Sequence, residues 1–468
     1  MITIVFTLIL AGLALAGYSL LADITIGHPG FGPLQIMGTT AGALLVALGG
    51  SLSFPQLRAN LGRWTKSPFG LVCLGIVLGL VLSESVLQFL EGEAGEDALY
   101  SLEKKALLNL APDPVLVNRL PSGAGGHDAN GYRNDRVPDR AHIVALGDSW
   151  TWGVNAKRDR AWPQQLDRMT GRSVYNMAMG GFGPAQYLAL TDEVLMLSPE
   201  IVVIGLYTGN DIINAETVVY GKDFYADLRD PTYRTTVGAT KVRQVVGQTR
   251  ERERDWKARY MARSAKTTLS GWTSLLLRYT ATVRLLYRLD LWPGRTLKDL
   301  HFEAAKAWAN EAPEHSRVVD KGNQKTILHT AARLLAVNLG DARVREGLSL
   351  TERILGRIRK RLTAHDAWLL VVLLPSKELS FAKAEAADGT PLGPIYTKAA
   401  NMETEILRRL RSDLKARGIA SVDLLPAFQT AIAERRPVFP TDGDTHPTPE
   451  GYRLIASRVA EEIAALGW

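Results

Sequence analysis

The chain has 468 residues, more than one hydrophobic core normally organises, so we expect two or more structural units. Hydrophobic residues make up 46% and charged residues 22% of the chain, the formal net charge is +7, and no motif predicts a nucleic-acid partner. The one cysteine, Cys73, excludes an intrachain disulfide, a multi-cysteine zinc site and thiol catalysis in the later part of the chain.

Three apolar stretches near the amino terminus are each long enough to cross a bilayer: 1–21, 34–54 and 69–90. A secretory signal is the alternative for the first stretch, although no basic residue precedes its apolar run. The loop between the second and third stretches is basic and the first loop is not, which predicts a cytoplasmic basic loop. We expect residues 1–92 to be an anchor of three transmembrane helices in the cytoplasmic membrane, with the catalytic domain extracytoplasmic.

A polar, glycine-rich connector, 93–140, leads into a region where short apolar runs alternate with longer amphipathic stretches. The predicted strands are 143–146, 173–178, 201–207, 368–374 and 419–425. The predicted helices include 184–197, 396–417 and 449–465. This alternation predicts an α/β three-layer sandwich over 141–468, with a central parallel sheet and a site at the carboxyl ends of its strands.

Residues 215–350 interrupt the alternation with a largely helical, basic insertion, which we interpret as a subdomain or lid. Its most basic stretch, 241–266, fits a solvated helix face, and a surface for anionic lipid or an acidic glycan is the alternative. The apolar stretch 271–292 contains three arginines, so a buried amphipathic helix is favoured over a membrane span. A helix on the membrane surface or lining an acyl channel is the alternative.

Four separated blocks carry the residue types that acyl transfer requires. Ser149, in ALGDSWTWG, follows the first predicted strand, although a Gly-Asp-Ser triplet alone also fits a turn or a helix cap. The later blocks are NMAMGGFG at 176–183, YTGNDI at 207–212 and TDGDTHPTPEGY at 441–452. Together they offer a hydroxyl nucleophile, a base with a carboxylate beside it, and donors for an oxyanion.

These blocks resemble those of the SGNH, or GDSL-type, hydrolase superfamily, which is named for serine, glycine, asparagine and histidine in four blocks. The resemblance runs from about residue 143 to the carboxyl end, without the insertion. It implies Ser149 as nucleophile, His446 as general base and Asp444 as the acid that orients the histidine. It also implies an oxyanion hole made of the amides of Ser149 and Gly181 and the carboxamide of Asn210.

One position departs from the family motif, and two leave alternatives within this assignment. Trp150 stands where the family motif has leucine, a change that a packing neighbour tolerates. The acid precedes the histidine by two residues, where many members have three, so Asp442 is a weaker alternative to Asp444. Gly180 likewise rivals Gly181 as the backbone donor.

We expect no cofactor and no metal. The segment GGFGPAQ lacks the third glycine of a dinucleotide-binding loop. A metal held by Asp442, Asp444 and His446 would leave the serine and asparagine blocks unexplained.

The neighbours of these blocks fit structural roles better than functional ones. Trp150 and Trp152 are predicted to pack beside the turn and not to form a platform for substrate. Lys377 and Glu378 follow the fourth predicted strand and could reach the rim of the pocket, although an exposed ion pair is favoured.

The sequence therefore predicts a membrane-anchored serine esterase or acylhydrolase that cleaves an acyl or acetyl ester of a cell-envelope glycan or lipid. An O-acyltransferase that passes the acyl group to a polysaccharide hydroxyl is the first alternative. A non-catalytic glycan-binding protein on the same fold is the second, because fold alone does not establish activity. The predicted partners are the ester substrate and the membrane, and the sequence does not predict an oligomeric state.

Overall fold

The computed structural model describes Leu10, Leu13 and residues 102–233 and 297–468, apart from 108, 312–314, 323, 388 and 390. Contacts divide the chain into two units, one of Met1–Gly95 with Ser264–Gly294 and one of Glu96–Arg263 with Arg295–Trp468. All described residues beyond Leu13 belong to the second unit. The predicted domain limits, 1–92, 93–140 and 141–468 with an insertion at 215–350, stay predictions.

The strands of the described residues are labelled in chain order. They are β1 (Ala111–Asp113), β2 (Val117–Arg119), β3 (Ile143–Gly147), β4 (Val174–Asn176), β5 (Ile201–Tyr207), β6 (Arg317–Lys321), β7 (Gln324–Leu328), β8 (Trp368–Leu374) and β9 (Ala420–Asp423). The central sheet is parallel, with the spatial order β4-β3-β5-β8-β9. β1 with β2 and β6 with β7 form two separate antiparallel pairs.

The helices are labelled in the same way. They are α1 (Ser149–Trp152), α2 (Trp162–Thr170), α3 (Pro184–Ala189), α4 (Thr191–Met196), α5 (Asp211–Gly221), α6 (Leu297–Glu311), α7 (Thr330–Val337), α8 (Ala342–Thr363), α9 (Lys377–Ala387), α10 (Pro394–Ala416), α11 (Leu425–Ala433) and α12 (Pro449–Ala465). Short 3-10 turns lie at Ala124–Gly126, Arg158–Arg160 and Asp223–Leu228.

The middle of the sheet consists of continuous apolar runs. β5 reads IVVIGLY and β8 reads WLLVVLL, as expected for parallel strands that are covered on both faces. The two strands pair residue by residue from Ile201 with Trp368 to Tyr207 with Leu374. Both therefore have the bounds that the sequence predicts.

Side chains alternate between the two faces of the sheet and create two cores. On β5, Val202, Ile204 and Leu206 pack with α5, α8 and α10, whereas Ile201 and Val203 pack with α2, α11 and α12. Each fully buried aliphatic side chain of this kind contributes about 1.5–3 kcal/mol. Helices thus cover both faces of the sheet, which fits the α/β sandwich part of the predicted fold.

The predicted connector protects the free edge of β4. Asn134 donates from its side-chain amide to the carbonyl of Asn176 over 3.0 Å, and its side-chain oxygen accepts from the amide of Asn176, also over 3.0 Å. The side chain of Asn134 therefore replaces the neighbouring strand that this edge lacks.

The predicted insertion is not wholly helical in its described part, because β6 and β7 form a hairpin. The chain turns at Gly322, whose φ of 65° favours glycine. Phe302 and Trp308 of α6 pack with Ile327 of β7 in a small separate cluster. The predicted basic stretch 241–266 and amphipathic helix 271–292 lie outside the described residues.

The predicted fold also placed three transmembrane helices before the α/β domain, with a multi-pass location in the cytoplasmic membrane and an extracytoplasmic catalytic domain. No helix within the described residues is both long enough and apolar enough to cross a membrane. The long helices α8 and α10 carry charged residues along their length, which a bilayer core disfavours. The transmembrane part of the prediction is therefore corrected. The segments 1–21, 34–54 and 69–90 lie outside the described residues.

Candidate active site

The order of the strands creates a crevice between β3 and β5. From β3 the chain continues to β4 on one side, and β5 then joins the other side of β3, so this is the switch point where open α/β sheets bind ligands. Ser149 starts α1 directly after β3, and Gly181 lies between β4 and α3. Asn210 is the residue before α5, after β5. Three predicted site residues therefore meet at the same edge of the sheet.

Two paired glycines let α1 lie close against the sheet. Gly147 of β3 pairs with Gly205 of β5. A Cβ atom at Gly147 would lie 1.9 Å from Oγ1 of Thr151, and one at Gly205 would lie 2.5 Å from the same atom. Asp148 then caps α1, since its carboxylate accepts from the amide of Trp150 over 2.9 Å. These contacts fix the start of α1, where Ser149 stands.

The two tryptophans after Ser149 are buried and support the turn, as predicted. Trp150 and Trp152 are both 0% exposed. The ring of Trp150 stacks on Tyr207 with 4.4 Å between the ring centroids. Arg133 lies 4.0 Å above the ring of Trp152 and donates to the backbone carbonyls of Trp152 and Gly153, each over 3.0 Å.

The imidazole of His446 joins the predicted nucleophile to the predicted acid. Its Nε2 atom lies 2.8 Å from Oγ of Ser149, and its Nδ1 atom lies 2.6 Å from Oδ1 of Asp444. Burial alone would raise the pKa of Asp444, but hydrogen bonds from the ring and amide of His446 and the nearby charge of Lys377 hold that pKa well below its usual value. An ionised carboxylate only accepts, so Nδ1 carries the proton and Nε2 accepts from the Ser149 hydroxyl.

The D-x-D-x-H spacing has a direct geometric reason. The carboxylate of Asp442 accepts from the amide of Asp444 over 3.0 Å, and the carboxylate of Asp444 accepts from the amide of His446 over 2.9 Å. Each aspartate therefore bonds the backbone two residues further on, as in an Asx turn. The carboxylate that contacts Nδ1 of His446 is therefore that of Asp444. The carboxylate of Asp442, the alternative acid, bonds the backbone amide of Asp444 instead.

Asn210, from the third block, and Ser149 both lie close to the same carboxylate oxygen of Asp148. The side-chain amide of Asn210 donates to Oδ2 of Asp148 over 3.1 Å, and Oγ of Ser149 lies 3.4 Å from the same oxygen. Burial raises the pKa of Asp148, although the hydrogen bonds that its carboxylate accepts from the amide of Trp150 and the side chain of Asn210 oppose that rise. Because a carboxamide has two N–H groups, Asn210 keeps one for another acceptor.

The glycines of the second block lie beside this cluster. Gly181 has a φ of 84°, a left-handed conformation that favours glycine, and a Cβ atom there would meet no atom within 4 Å. A Cβ atom at Gly180 would lie 3.9 Å from Cβ of Ser149. The carbonyl of Gly181 accepts from the side chain of Asn214 over 3.5 Å. The two glycines thus leave open space at the crevice.

Lys377 and Glu378 differ from the predicted exposed ion pair, because they are only 0% and 1% exposed. Lys377 donates to the backbone carbonyls of Asp442, over 2.7 Å, and Asp444, over 2.9 Å. Glu378 accepts from Arg333 over 2.9 Å. Burial would raise the pKa of Glu378, but the charge of Arg333 lowers it below its usual value. The local segment PSKE gives no signal of these distant partners.

Asp211 is a further buried acid that the sequence reasoning missed. Its Oδ2 atom accepts from the amide of Tyr207 and from the hydroxyl of Tyr187, each over 3.0 Å. Burial raises its pKa well above the usual value, and the charge of Asp148 adds to the rise. Asp211 is the first residue of α5, and acidic residues are frequent at the amino termini of helices, which is the one signal that the sequence offered.

A metal would need several donors around one point. Within the described ranges, no three histidine, cysteine, aspartate or glutamate side chains form such a group. The carboxylate of Asp444 and Nδ1 of His446 are directed at each other, and Nε2 of His446 is directed at Ser149.

Residues 335–467 match the family model described as SGNH hydrolase-like domain, acetyltransferase AlgX. Residues 335–467 are thus similar to an SGNH hydrolase-like domain. The matched residues include Asp444 and His446, whereas Ser149, Gly181 and Asn210 precede them. No curated protein sequence matches the chain.

Solved structures with some similarity include GDSL-type proteins. A G-D-S-L-family protein from Desulfitobacterium hafniense is 12% identical over 68% of this chain and 98% of its own, with a TM-score of 0.31. An acetyl xylan esterase is 11% identical over 69% and 98%, with a TM-score of 0.31. A GDSL-like lipase from Bacteroides thetaiotaomicron is 14% identical over 69% and 88%, with a TM-score of 0.27.

Proposed function

We propose that this protein is a serine-dependent esterase that cleaves an acyl or acetyl ester of a glycan or a lipid. The observation that carries the proposal is the 2.8 Å contact between Nε2 of His446 and Oγ of Ser149, continued by the 2.6 Å contact between Nδ1 and Asp444. A hydroxyl becomes an effective nucleophile when an adjacent base takes its proton and a third group orients that base. The three side chains meet this requirement.

In the proposed mechanism, Oγ of Ser149 attacks the carbonyl carbon of the ester while Nε2 of His446 accepts the hydroxyl proton. The Asp444 carboxylate stabilises the imidazolium that forms. The tetrahedral intermediate then expels the alcohol, which takes the proton from Nε2, and leaves an acyl group on Ser149. A water molecule then loses a proton to Nε2 and attacks the acyl carbon. The second tetrahedral intermediate breaks its bond to Oγ of Ser149, which takes the proton back from Nε2 as the acid is released.

The negative oxygen of each tetrahedral intermediate requires hydrogen-bond donors. We assign this role to the amides of Ser149 and Gly181 and to the second N–H of Asn210, whose first N–H is bound to Asp148. Asp148 thereby fixes which end of the Asn210 carboxamide donates. Loss of one such donor typically removes about 2.7–4 kcal/mol of transition-state stabilisation.

The test is the substitution Ser149→Ala, with Ser412→Ala on the exposed surface of α10 as the control. We expect Ser149→Ala to abolish hydrolysis of p-nitrophenyl acetate and labelling by a fluorophosphonate probe, because the attacking oxygen is gone. Ser412→Ala should behave as wild type. Retained turnover in purified Ser149→Ala protein would refute the assignment. Folded wild-type protein that neither hydrolyses esters nor reacts with the probe would favour a non-catalytic role.

A second candidate is an acyltransferase that uses the same serine. It is favoured by the matching family model, whose description names an acetyltransferase. The two activities differ in whether water or a sugar hydroxyl reaches the acyl group on Ser149, so exclusion of water decides between them. Incubation with an acetyl donor and a glycan, followed by mass spectrometry of the glycan, distinguishes them. A glycan that gains acetyl groups indicates transfer, and an unmodified glycan with released acetate indicates hydrolysis.

A further inference from the structure

Lys377 is a buried cation beside the loop that carries Asp444 and His446. It is the first residue of α9, and its side chain is fully buried. Its ammonium donates to the carbonyls of Asp442, over 2.7 Å, and Asp444, over 2.9 Å. Burial of an ammonium is strongly unfavourable unless its protons are satisfied. A position that only needed to fill space would be served better by methionine or leucine.

The same loop also contacts β7. The hydroxyl of Thr326 donates to the carbonyl of Pro440 over 2.8 Å and lies 3.2 Å from the carbonyl of Asp442. The carbonyl of Asp442 also accepts from the amide of Ile327 over 3.4 Å. The backbone before His446 is therefore bonded to both α9 and β7.

The two carbonyls that Lys377 binds belong to the residues whose side chains orient His446. The carboxylate of Asp442 bonds the amide of Asp444, and the carboxylate of Asp444 bonds both the amide and the ring of His446. A shift of either carbonyl would therefore move the imidazole.

We infer that Lys377 is a positioning residue for the reaction, which holds the Asp444–His446 loop so that Nε2 of His446 stays within hydrogen-bonding distance of Ser149. The expected effect of Lys377 on turnover rests on the proposed function. The expected effect of Lys377 on the geometry of the loop does not depend on that function. Lys377 acts through backbone carbonyls and does not touch the reacting atoms.

The charge of Lys377 supports the same role. The ammonium is close enough to Asp444 to favour the ionised carboxylate, and it helps hold the pKa of Asp444 below its usual value. An apolar side chain of similar length would lose this effect together with the two hydrogen bonds. Methionine at this position removes both contributions with little change in volume.

The test compares Lys377→Met with Lys383→Met, which removes an exposed lysine from the same helix. We expect kcat for p-nitrophenyl acetate to fall about 10²-fold in Lys377→Met, because displacement of a reacting group by about 1 Å has an effect of this size. KM should change little, since no contact to substrate is removed. Lys383→Met should keep wild-type kcat.

A second readout does not depend on turnover. The proton between Nδ1 of His446 and Asp444 should give a strongly downfield proton NMR resonance in wild-type protein and in Ser149→Ala. We expect Lys377→Met to lose or broaden this resonance while its circular dichroism spectrum stays as in wild type. Lys377→Gln, which keeps a donor but no charge, should lie between the two in both measurements.

A folded Lys377→Met protein with wild-type kcat and an unchanged resonance would overturn the inference and leave the proposed function intact. If neither Lys377→Met nor Lys377→Gln folds, the residue acts on stability alone and the inference is also overturned. Wild-type protein without esterase or transferase activity would refute the proposed function, and the NMR comparison would still test the role of Lys377.

Discussion

Asp444 controls both the orientation and the protonation of His446. One carboxylate oxygen accepts from the amide of His446 and from its ring nitrogen Nδ1. This leaves Nε2 without a proton and directed at Ser149. Substitution of Asp444 should therefore affect the reaction more than substitution of Asp442. The carboxylate of Asp442 only accepts from the backbone amide of Asp444.

We therefore expect Asp444→Asn to lower kcat about 10³- to 10⁴-fold, because an asparagine amide can donate to Nδ1 and stabilise the wrong tautomer. Asp442→Asn is the matched control. Its side-chain oxygen can still accept from the amide of Asp444, so kcat should stay within a few-fold of wild type. Steady-state kinetics of both variants measures the difference, and equal losses would contradict the assignment.

The same substitution should change how stability depends on pH. The pKa of Asp444 is lower in the folded protein than its unfolded value of about 3.9. Its ionised form therefore contributes stability that is fully present above that value and is lost as the pH falls below it. The unfolding free energy of wild type should exceed that of Asp444→Asn at pH 7, and the difference should shrink from about pH 5 to pH 3. Urea denaturation across this range provides the measurement.

At the scale of elements, the pairing of Gly147 with Gly205 sets how close α1 lies to the sheet. Oγ1 of Thr151 occupies the space where either glycine would carry a side chain. This oxygen is buried and has no hydrogen-bond partner within the described part of the chain. Packing, and not hydrogen bonding, therefore holds the side chain of Thr151 against the two strands.

We expect Gly205→Ala to lower the free energy of unfolding by about 1–3 kcal/mol, because the new methyl group would overlap Oγ1 of Thr151. The same substitution in a Thr151→Ala background should have a much smaller effect, since the overlapping oxygen is absent. A double-mutant cycle from urea denaturation measures this coupling. An equal loss in both backgrounds would show that another neighbour causes the strain.

The sequence predicted central elements better than peripheral ones. β5 and β8 have the predicted bounds because they are apolar throughout and paired on both sides. β4 and β9 are shorter than the predicted 173–178 and 419–425, since an edge strand is limited by a single partner. The predicted helix 184–197 is divided at Leu190, where no glycine or proline marks a break.

The β6–β7 hairpin was missed although the sequence carried a signal. The segment KGNQ places a Gly-Asn dipeptide between two runs with β-branched residues, a pattern typical of a tight hairpin. Because the whole insertion was interpreted as largely helical, the hairpin signal within it was not used. The prediction of three transmembrane helices was wrong, because no helix within the described residues is both long enough and apolar enough to cross a membrane.

At the scale of the whole molecule, Arg333 ties distant segments together. From α7 it donates to Glu378 of α9 over 2.9 Å, to the carbonyl of Gly209 over 2.5 Å and to the hydroxyl of Tyr207 over 2.9 Å. The loop after β5, which carries Asn210, is thereby attached to both helices. Partners so far apart in the chain are not visible in the sequence, which is why the motifs predicted the residues of the candidate site but not the role of Arg333.

We expect Arg333→Met to lower the free energy of unfolding by about 3–5 kcal/mol, because it leaves the carboxylate of Glu378 buried without its cation. Arg409→Met is the control: Arg409 forms an exposed pair with Glu405, and its loss should have little or no measurable effect on the free energy of unfolding. The double variant Arg333→Met with Glu378→Leu should recover much of the loss. Guanidinium denaturation tests all three, and an equal effect of the two single variants would contradict the role of Arg333.

The distance along the chain between Ser149 and His446 affects the protein while it is being made. The two residues are 297 positions apart. At 5–20 residues per second, a ribosome needs roughly 15 to 60 seconds to add the histidine after the serine. Throughout that interval the growing chain holds a hydroxyl with no base beside it, which is a weak nucleophile. Under the proposed mechanism, the nascent chain therefore cannot cleave esters until His446 has been added and has reached Ser149.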